Sequence, residues 1–395
     1  MRRFIAPALV ALGLVACSDS TTAPATSPEM LQRAPEAPLY SKGASGIDGD
    51  YIVVFRSDIA DPIGKADEKI ARHAARARFR YDAAIKGFAA TLSPAAVTML
   101  RSDPDVAYIE QDARVSVQTT QSGATWGIDR IDQRNRPLSG TYTYTSTGSG
   151  ATAYIIDTGI LTSHSQFGGR AAVAYDATGG NGIDCNGHGT HVAGTVGGST
   201  YGVAKGVSLR AVRVLDCNGS GTNSNVIAGM NWVASHHVAR SVANMSLGGG
   251  YSSAVNSAAT SLVNSGVFLA VASGNSGADA CNYSPASAPG TITVNASDIN
   301  DARATFSNYG GCTDVYAPGV NITSAWIGST TATNTISGTS MATPHVTGVG
   351  ALYKATYGDA AASTVISWIT SNATANVISG NPSGTPNRLL YKATL

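Results

Sequence analysis

Ser337-Gly338-Thr339-Ser340-Met341-Ala342-Thr343-Pro344-His345 sets a serine at the entry to a helix, among small residues, with a proline one turn further in. Two other stretches give that serine its context. Ala153-Tyr154-Ile155-Ile156-Asp157-Thr158-Gly159 ends an apolar run on an aspartate, and Asn186-Gly187-His188-Gly189-Thr190-His191 holds a histidine between glycines. A serine hydroxyl is a weak nucleophile until a base takes its proton, and the base works best when a carboxylate fixes its tautomer. Singly, each residue has a bland explanation: serine among glycine and threonine, or Asp-Thr-Gly after a strand, is an ordinary turn signal. As an ordered set, Asp157, His188 and Ser340 point to nucleophilic catalysis.

The surroundings read as an α/β architecture. Short apolar runs at residues 151–156, 209–215, 241–245, 267–271 and 291–294 alternate with helical stretches such as 226–237 and 254–265. Continuous apolar strands of this kind belong to a parallel sheet covered on both faces. Sites in such sheets lie beyond the strand C-termini, and Asp157 and Asn275 both follow immediately on such a run.

Chain order separates the convergent hydrolase families, and aspartate first with serine last is the subtilisin order. Tyr201-Gly202-Val203-Ala204-Lys205, Ser246-Leu247-Gly248-Gly249-Gly250-Tyr251, Asn282-Tyr283-Ser284-Pro285-Ala286 and Phe306-Ser307-Asn308-Tyr309 follow in register. From about residue 126 to 391 the chain resembles subtilisin-like serine proteases, nearest to the proteinase K and aqualysin branch. The resemblance implies a three-layer α/β fold with a mostly parallel sheet. It makes Ser340 the nucleophile, His188 the base and Asp157 its orienter. Asn275, in Ala272-Ser273-Gly274-Asn275, would donate to the oxyanion beside the Ser340 N–H. His191 and His345 match structural helix positions.

In this family a polypeptide substrate pairs as a β-strand with two exposed segments, here Gly219-Ser220-Gly221 and Ser246-Leu247-Gly248. The primary pocket would be lined by Leu247, Gly248, Ala272, Ser273 and Gly274. Dibasic-processing relatives need clustered acids there, and no glutamate follows Glu110, so broad cleavage after apolar or aromatic residues is expected. The resemblance also implies structural calcium. One site would use the carbonyls of Pro289 and Thr291 with the Asp314 carboxylate, and a second Asp129, Asp132 and Gln133, whose alternative is a plain turn.

A chain of 395 residues has room for two or three domains, and its net charge of +1 gives no reason to expect nucleic acid as a partner. Arg2-Arg3 and the apolar run at 4–16 read as an export signal, too short to span a bilayer comfortably. Leu14-Val15-Ala16-Cys17 resembles a bacterial lipoprotein signal with Cys17 lipidated; ordinary cleavage is the alternative. That lipid would be the precursor's sole membrane attachment, in a bacterial envelope, with the mature enzyme released outside. A flexible tether would span 18–46.

Residues 50–115 read as a small α+β unit: a strand at 51–55, a basic helix at 65–81, strands within 83–92, a helix capped by Ser93-Pro94, and a strand at 106–109. This resembles the ferredoxin-like inhibitory propeptide of subtilisins, the alternative being an unrelated domain. The resemblance divides the chain into 1–17, 18–46, an inhibitory propeptide at 47–118 and a catalytic domain at 119–395. Self-cleavage is expected near Gln118, giving a monomeric mature enzyme.

Cys185, Cys217, Cys281 and Cys312 fit two disulfides of an exported protein, for which sequence alone allows three pairings. No close cysteine pair supports the rival reading as a zinc site. The resemblance implies Cys185–Cys217 and Cys281–Cys312, each contributing about 3–4 kcal/mol by loop entropy. A catalytically silent binding protein on this scaffold is the rival from another class, and an intact Asp157, His188, Ser340 and Asn275 argues against it. A thioesterase or lipase is disfavoured by the chain order.

Overall fold

The computed structural model describes residues 36–42, 46–113 and 119–395. The leader with Cys17, most of the tether and Gln118 therefore lie outside the described residues. The chain forms two compact units that part between Arg114 and Val115.

The first unit runs β1 (Leu39–Tyr40), β2 (Gly46–Phe55), α1 (Pro62–Arg72), β3 (Arg76–Tyr81), β4 (Gly87–Thr91), α2 (Pro94–Arg101) and β5 (Val106–Ala113). The sheet order is β1-β5-β2-β4-β3, antiparallel except between β1 and β5. Ala66 of α1 and Val97 and Leu100 of α2 share one core with Val53, Phe55, Phe88 and Ile109 of the sheet. This is the ferredoxin-like unit expected. The helix expected over 65–81 is corrected. It ends at Arg72, Ala74 takes a left-handed φ of 49°, and Arg76-Ala77-Arg78-Phe79-Arg80-Tyr81 pairs with β4 as strand β3. Those six residues alternate basic with apolar, a period of two that outweighs the helical spacing of Ala74, Ala77 and Tyr81.

The second unit opens with β6 (Thr119–Ser122), α3 (Trp126–Asp132), β7 (Thr141–Tyr144), β8 (Thr152–Asp157), β9 (Ala171–Asp176), α4 (His188–Gly197) and β10 (Ser208–Arg213). It continues through α5 (Asn223–His236), β11 (Ser241–Met245), β12 (Gly249–Gly250), α6 (Ser253–Asn264), β13 (Phe268–Ala272), β14 (Tyr283–Ser284) and β15 (Ile292–Ser297). It closes with β16 (Val315–Pro318), β17 (Ile322–Ala325), β18 (Thr333–Ile336), α7 (Thr339–Tyr357), α8 (Ala362–Asn372), β19 (Thr374–Ala375) and β20 (Arg388–Leu389).

Nine of these strands form one sheet in the order β19-β20-β16-β15-β13-β11-β8-β10-β9, parallel throughout except for the β19–β20 pair. Alternate residues of each strand enter different cores. Ala153, Ile155, Phe268 and Ala270 meet Val192 and Val196 of α4 and Val346 and Val349 of α7. Tyr154, Ile156, Leu269 and Val271 meet Val226, Met230 and Val233 of α5 and Val255, Ala259 and Leu262 of α6 on the other face. Both faces being covered is why the strands carry no polar alternation. After β8 the chain builds β9 and β10 to one side, then crosses to lay β11, β13, β15 and β16 on the other. The C-terminal end of β8 is thus the topological switch point, where such sheets place their sites.

Candidate active site

Asp157 is the last residue of β8 and is fully buried. Its Oδ1 accepts the Thr158 N–H at 2.7 Å and stands 2.8 Å from His188 Nδ1, while Oδ2 is buried without a hydrogen-bond partner among the described residues. His188 is the first residue of α4, behind Gly187 at φ 109°. A Cβ at position 187 would stand 2.5 Å from the Trp326 ring, so both conformation and space require glycine there. Burial works against a charged imidazole, but the charge and hydrogen bond of Asp157, with Asp184 behind it, outweigh burial. They hold the pKa above the ordinary 6.5.

Ser340 is the second residue of α7, the long and almost wholly buried helix. Its hydroxyl donates to the Ser246 carbonyl at 3.0 Å, and the Ser246 hydroxyl returns a bond to the Ser340 carbonyl at 2.7 Å. Proton transfer to His188 therefore requires Ser340 to leave the Ser246 carbonyl.

Asn275 lies just past β13, and its Oδ1 accepts both the N–H and the hydroxyl of Thr339 at 2.8 Å. With the oxygen doubly engaged, the amide is oriented and Nδ2 is left as the free donor. Nδ2 and the Ser340 backbone nitrogen each lie 3.6 Å from where a Cβ on Gly338 would stand. A side chain at 338 would crowd the space beside both donors. Thr339 was missed by motif reading; its hydroxyl between Ser340 and an expected oxyanion donor was the available signal.

Two adjoining cavities flank these groups. One of about 490 Å³ is lined by His188, Gly219, Ser220, Gly221, Ser246, Leu247 and Gly248 among others. The second, about 200 Å³, is lined by Leu247, Gly248, Ala272, Ser273, Gly274, Asn275, Thr339 and Ser340 among others. Among the described residues, no carboxylate lines either. His191 and His345 are buried histidines held neutral, each with its pKa pushed down to about 4 by burial. Their rings donate to the Ile322 and Met341 carbonyls at 2.9 Å.

Residues 148–389 match the subtilase family of peptidases, and residues 50–118 match the peptidase inhibitor I9 family. The chain belongs to the subtilase family. It is a subtilisin-type serine peptidase of the proteinase K branch, preceded by an inhibitor-type propeptide domain. An extracellular serine proteinase of Thermus sp. (strain Rt41A) is 50% identical over 96% of this chain and 96% of its own. Proteinase R of Parengyodontium album is 46% identical over 91% of this chain and 93% of its own. The crystal structure of a cold adapted subtilisin-like serine proteinase superposes with a TM-score of 0.68 at 51% identity, covering 69% of this chain and all of that one.

Disulfides join Cys185 to Cys217 and Cys281 to Cys312, with Cα separations of 5.0 and 5.3 Å. The first ties the loop before His188 to the segment that continues into Gly219-Ser220-Gly221.

The two expected calcium sets differ in the partners they have in the structure. Asp314 carries a carboxylate whose pKa is raised by burial, although the Thr293 N–H bonds its Oδ2 at 2.7 Å. A desolvated carboxylate is a hard oxygen ligand of the kind calcium takes, and the Pro289 carbonyl accepts the Thr260 hydroxyl at 3.1 Å. The second set is bonded to a single loop. Asp129 accepts from the N–H and hydroxyl of Ser139 and from the Gly140 N–H. Asp132 accepts the Thr143 N–H and pairs with Lys392 at 3.0 Å, and Gln133 Oε1 accepts the Ser139 N–H. These bonds wrap the 139–143 loop around the side chains of Asp129, Asp132 and Gln133, as the plain-turn alternative to a second calcium site would have it.

Proposed function

We propose that this chain is an exported endopeptidase, made as a self-processing inhibited precursor, that hydrolyses polypeptides through an acyl-enzyme on Ser340. The observation that carries the reading is the 2.8 Å bond from His188 Nδ1 to a buried Asp157 at the switch point of the sheet. That bond leaves Nε2 as the basic nitrogen. His188 takes the Ser340 proton and later passes it to the leaving amine, while Asp157 stabilises the imidazolium between. Asn275 Nδ2 and the Ser340 N–H stabilise the oxyanion, and the glycine-lined segments at 219–221 and 246–248 pair with substrate backbone.

The carboxylate-free lining supports broad specificity for apolar or aromatic residues before the scissile bond. Export is supported by the basic and apolar start of the chain and by relatives described as extracellular. A lipid on Cys17 and cleavage near Gln118 rest on the sequence alone. One structural calcium would be held by Asp314 with the carbonyls of Pro289 and Thr291, restraining loops and taking no part in catalysis. The mature enzyme is read as a monomer.

Intact masses of the purified wild type and Ser340→Ala test the reading. The wild type should lose roughly the first 118 residues, matching the end of the inhibitor domain, while the variant stays whole. A variant that retains peptide hydrolysis would refute Ser340 as nucleophile, whereas wild type and variant cut alike would assign the processing to another protease and refute self-processing alone.

A further inference from the structure

Asp184 takes no part in the chemistry above, yet it makes more hydrogen bonds than any catalytic candidate. It is buried in the loop that precedes α4. Oδ1 accepts the Thr158 hydroxyl and the backbone N–H groups of Asn186 and Gly187, each at 2.9 Å. Oδ2 accepts the Thr190 N–H at 2.9 Å and its hydroxyl at 2.6 Å. Thr158 Oγ1 in turn accepts the Gly189 N–H at 2.9 Å. One carboxylate, partly through one hydroxyl, thus satisfies the second and third N–H groups of α4 and the turn that leads into it. Its other anchor, Thr158, is the residue directly after Asp157.

We propose that Asp184 is a positioning residue: it joins the end of β8, which presents Asp157, to the first turn of α4, which presents His188, and so sets the distance between them. Aspartate suits the task because a carboxylate offers two accepting oxygens with about four lone-pair sites, which the five donors share, three at Oδ1 and two at Oδ2. An amide in its place offers one accepting oxygen and turns two donors toward donors. The inference rests on Asp157 and His188 being the working pair.

Asp184 also acts on His188 through space, adding to the upward push of Asp157 on the imidazole. The other charged and titratable groups nearby are accounted for. His191, on the same helix, and His345 of α7 are neutral. Arg213 of β10 donates to the Ile183 and Leu215 carbonyls and lies 3.9 Å from Asp176.

The test measures kcat and KM against pH with a chromogenic peptide, on enzyme matured from the full chain. The variants are Asp184→Asn, Thr158→Val, Thr158→Ser and, as control, His188→Ala. Asp184→Asn should lower kcat about 10- to 100-fold, the scale for small misplacements of reacting groups, with KM nearly unchanged. Its acid limb should move to lower pH, because a negative charge that favours the imidazolium has gone. Thr158→Val keeps that charge and should lose turnover with the limb in place, while Thr158→Ser restores turnover. Wild-type turnover in Asp184→Asn, a turnover loss with an unmoved limb, or a Thr158→Val enzyme equal to wild type overturns the proposal. If Asp184→Asn does not mature, the Thr158 pair decides alone. An active His188→Ala enzyme would instead overturn the catalytic reading beneath it.

Discussion

Asn275 shows how little a motif says about orientation. An asparagine after a strand is an ordinary turn residue; Thr339 occupies its oxygen from two sides and so turns Nδ2 into the donor proposed for the oxyanion. Asn275→Ala should therefore lower kcat by about 10²–10³, the loss known for this donor in subtilisins, with KM little altered. Steady-state kinetics on a peptide amide check it, and an equal loss in KM would assign Asn275 to substrate binding instead. The histidines divide by the same logic of partners. His188 faces a carboxylate and is held basic, whereas His191 and His345 face carbonyls in a dry interior and stay neutral. The resemblance had already placed them at structural helix positions, and their carbonyl partners supply the physical reason.

At the scale of elements, α3 is held by an interaction that no pattern in the chain announces. Arg130 is completely buried and forms a two-pronged pair with Asp301, at 2.7 Å from Nε and 3.0 Å from Nη2. It also donates to the Gln133 and Arg134 carbonyls. Arg130→Ala would leave Asp301 largely buried without its partner, which costs about 3–5 kcal/mol. A melting temperature lowered by roughly 10 °C should follow. Differential scanning calorimetry of the mature enzyme checks this, and an unchanged transition would show that water replaces the guanidinium without cost. Strand β3 teaches the complementary lesson. Its six residues carry both a helical and a two-residue spacing, and pairing with β4 selects the second because the edge of a sheet satisfies the backbone while the arginines remain outside.

For the whole molecule, two covered faces around one mostly parallel sheet leave a few loops to be restrained from outside, and calcium at Asp314 is the proposed restraint. Chelation should lower the melting temperature of the wild type by roughly 5–10 °C, from about 2.7 kcal/mol of linkage at a hundredfold excess over Kd. Asp314→Asn should start near the chelated value and respond little to chelator. A wild type indifferent to chelation would remove the site. The chain by itself determined the fold class and the order Asp157, His188, Ser340, because each depends on local periodicity or on short motifs, while the cleft residues were legible only through the family resemblance, since they come from three separate segments. The run from Thr152 to Asp157 is apolar because both sheet faces are covered, and that is legible without coordinates. Only the tertiary structure decided that Asp129 and Asp132 spend their oxygens on the 139–143 loop and Lys392. It alone showed that Ser340 rests on the Ser246 carbonyl, and that Asp184 links β8 to α4. Those outcomes depend on which donors reach a given oxygen from remote parts of the chain, a property of packing that residue type and spacing do not encode.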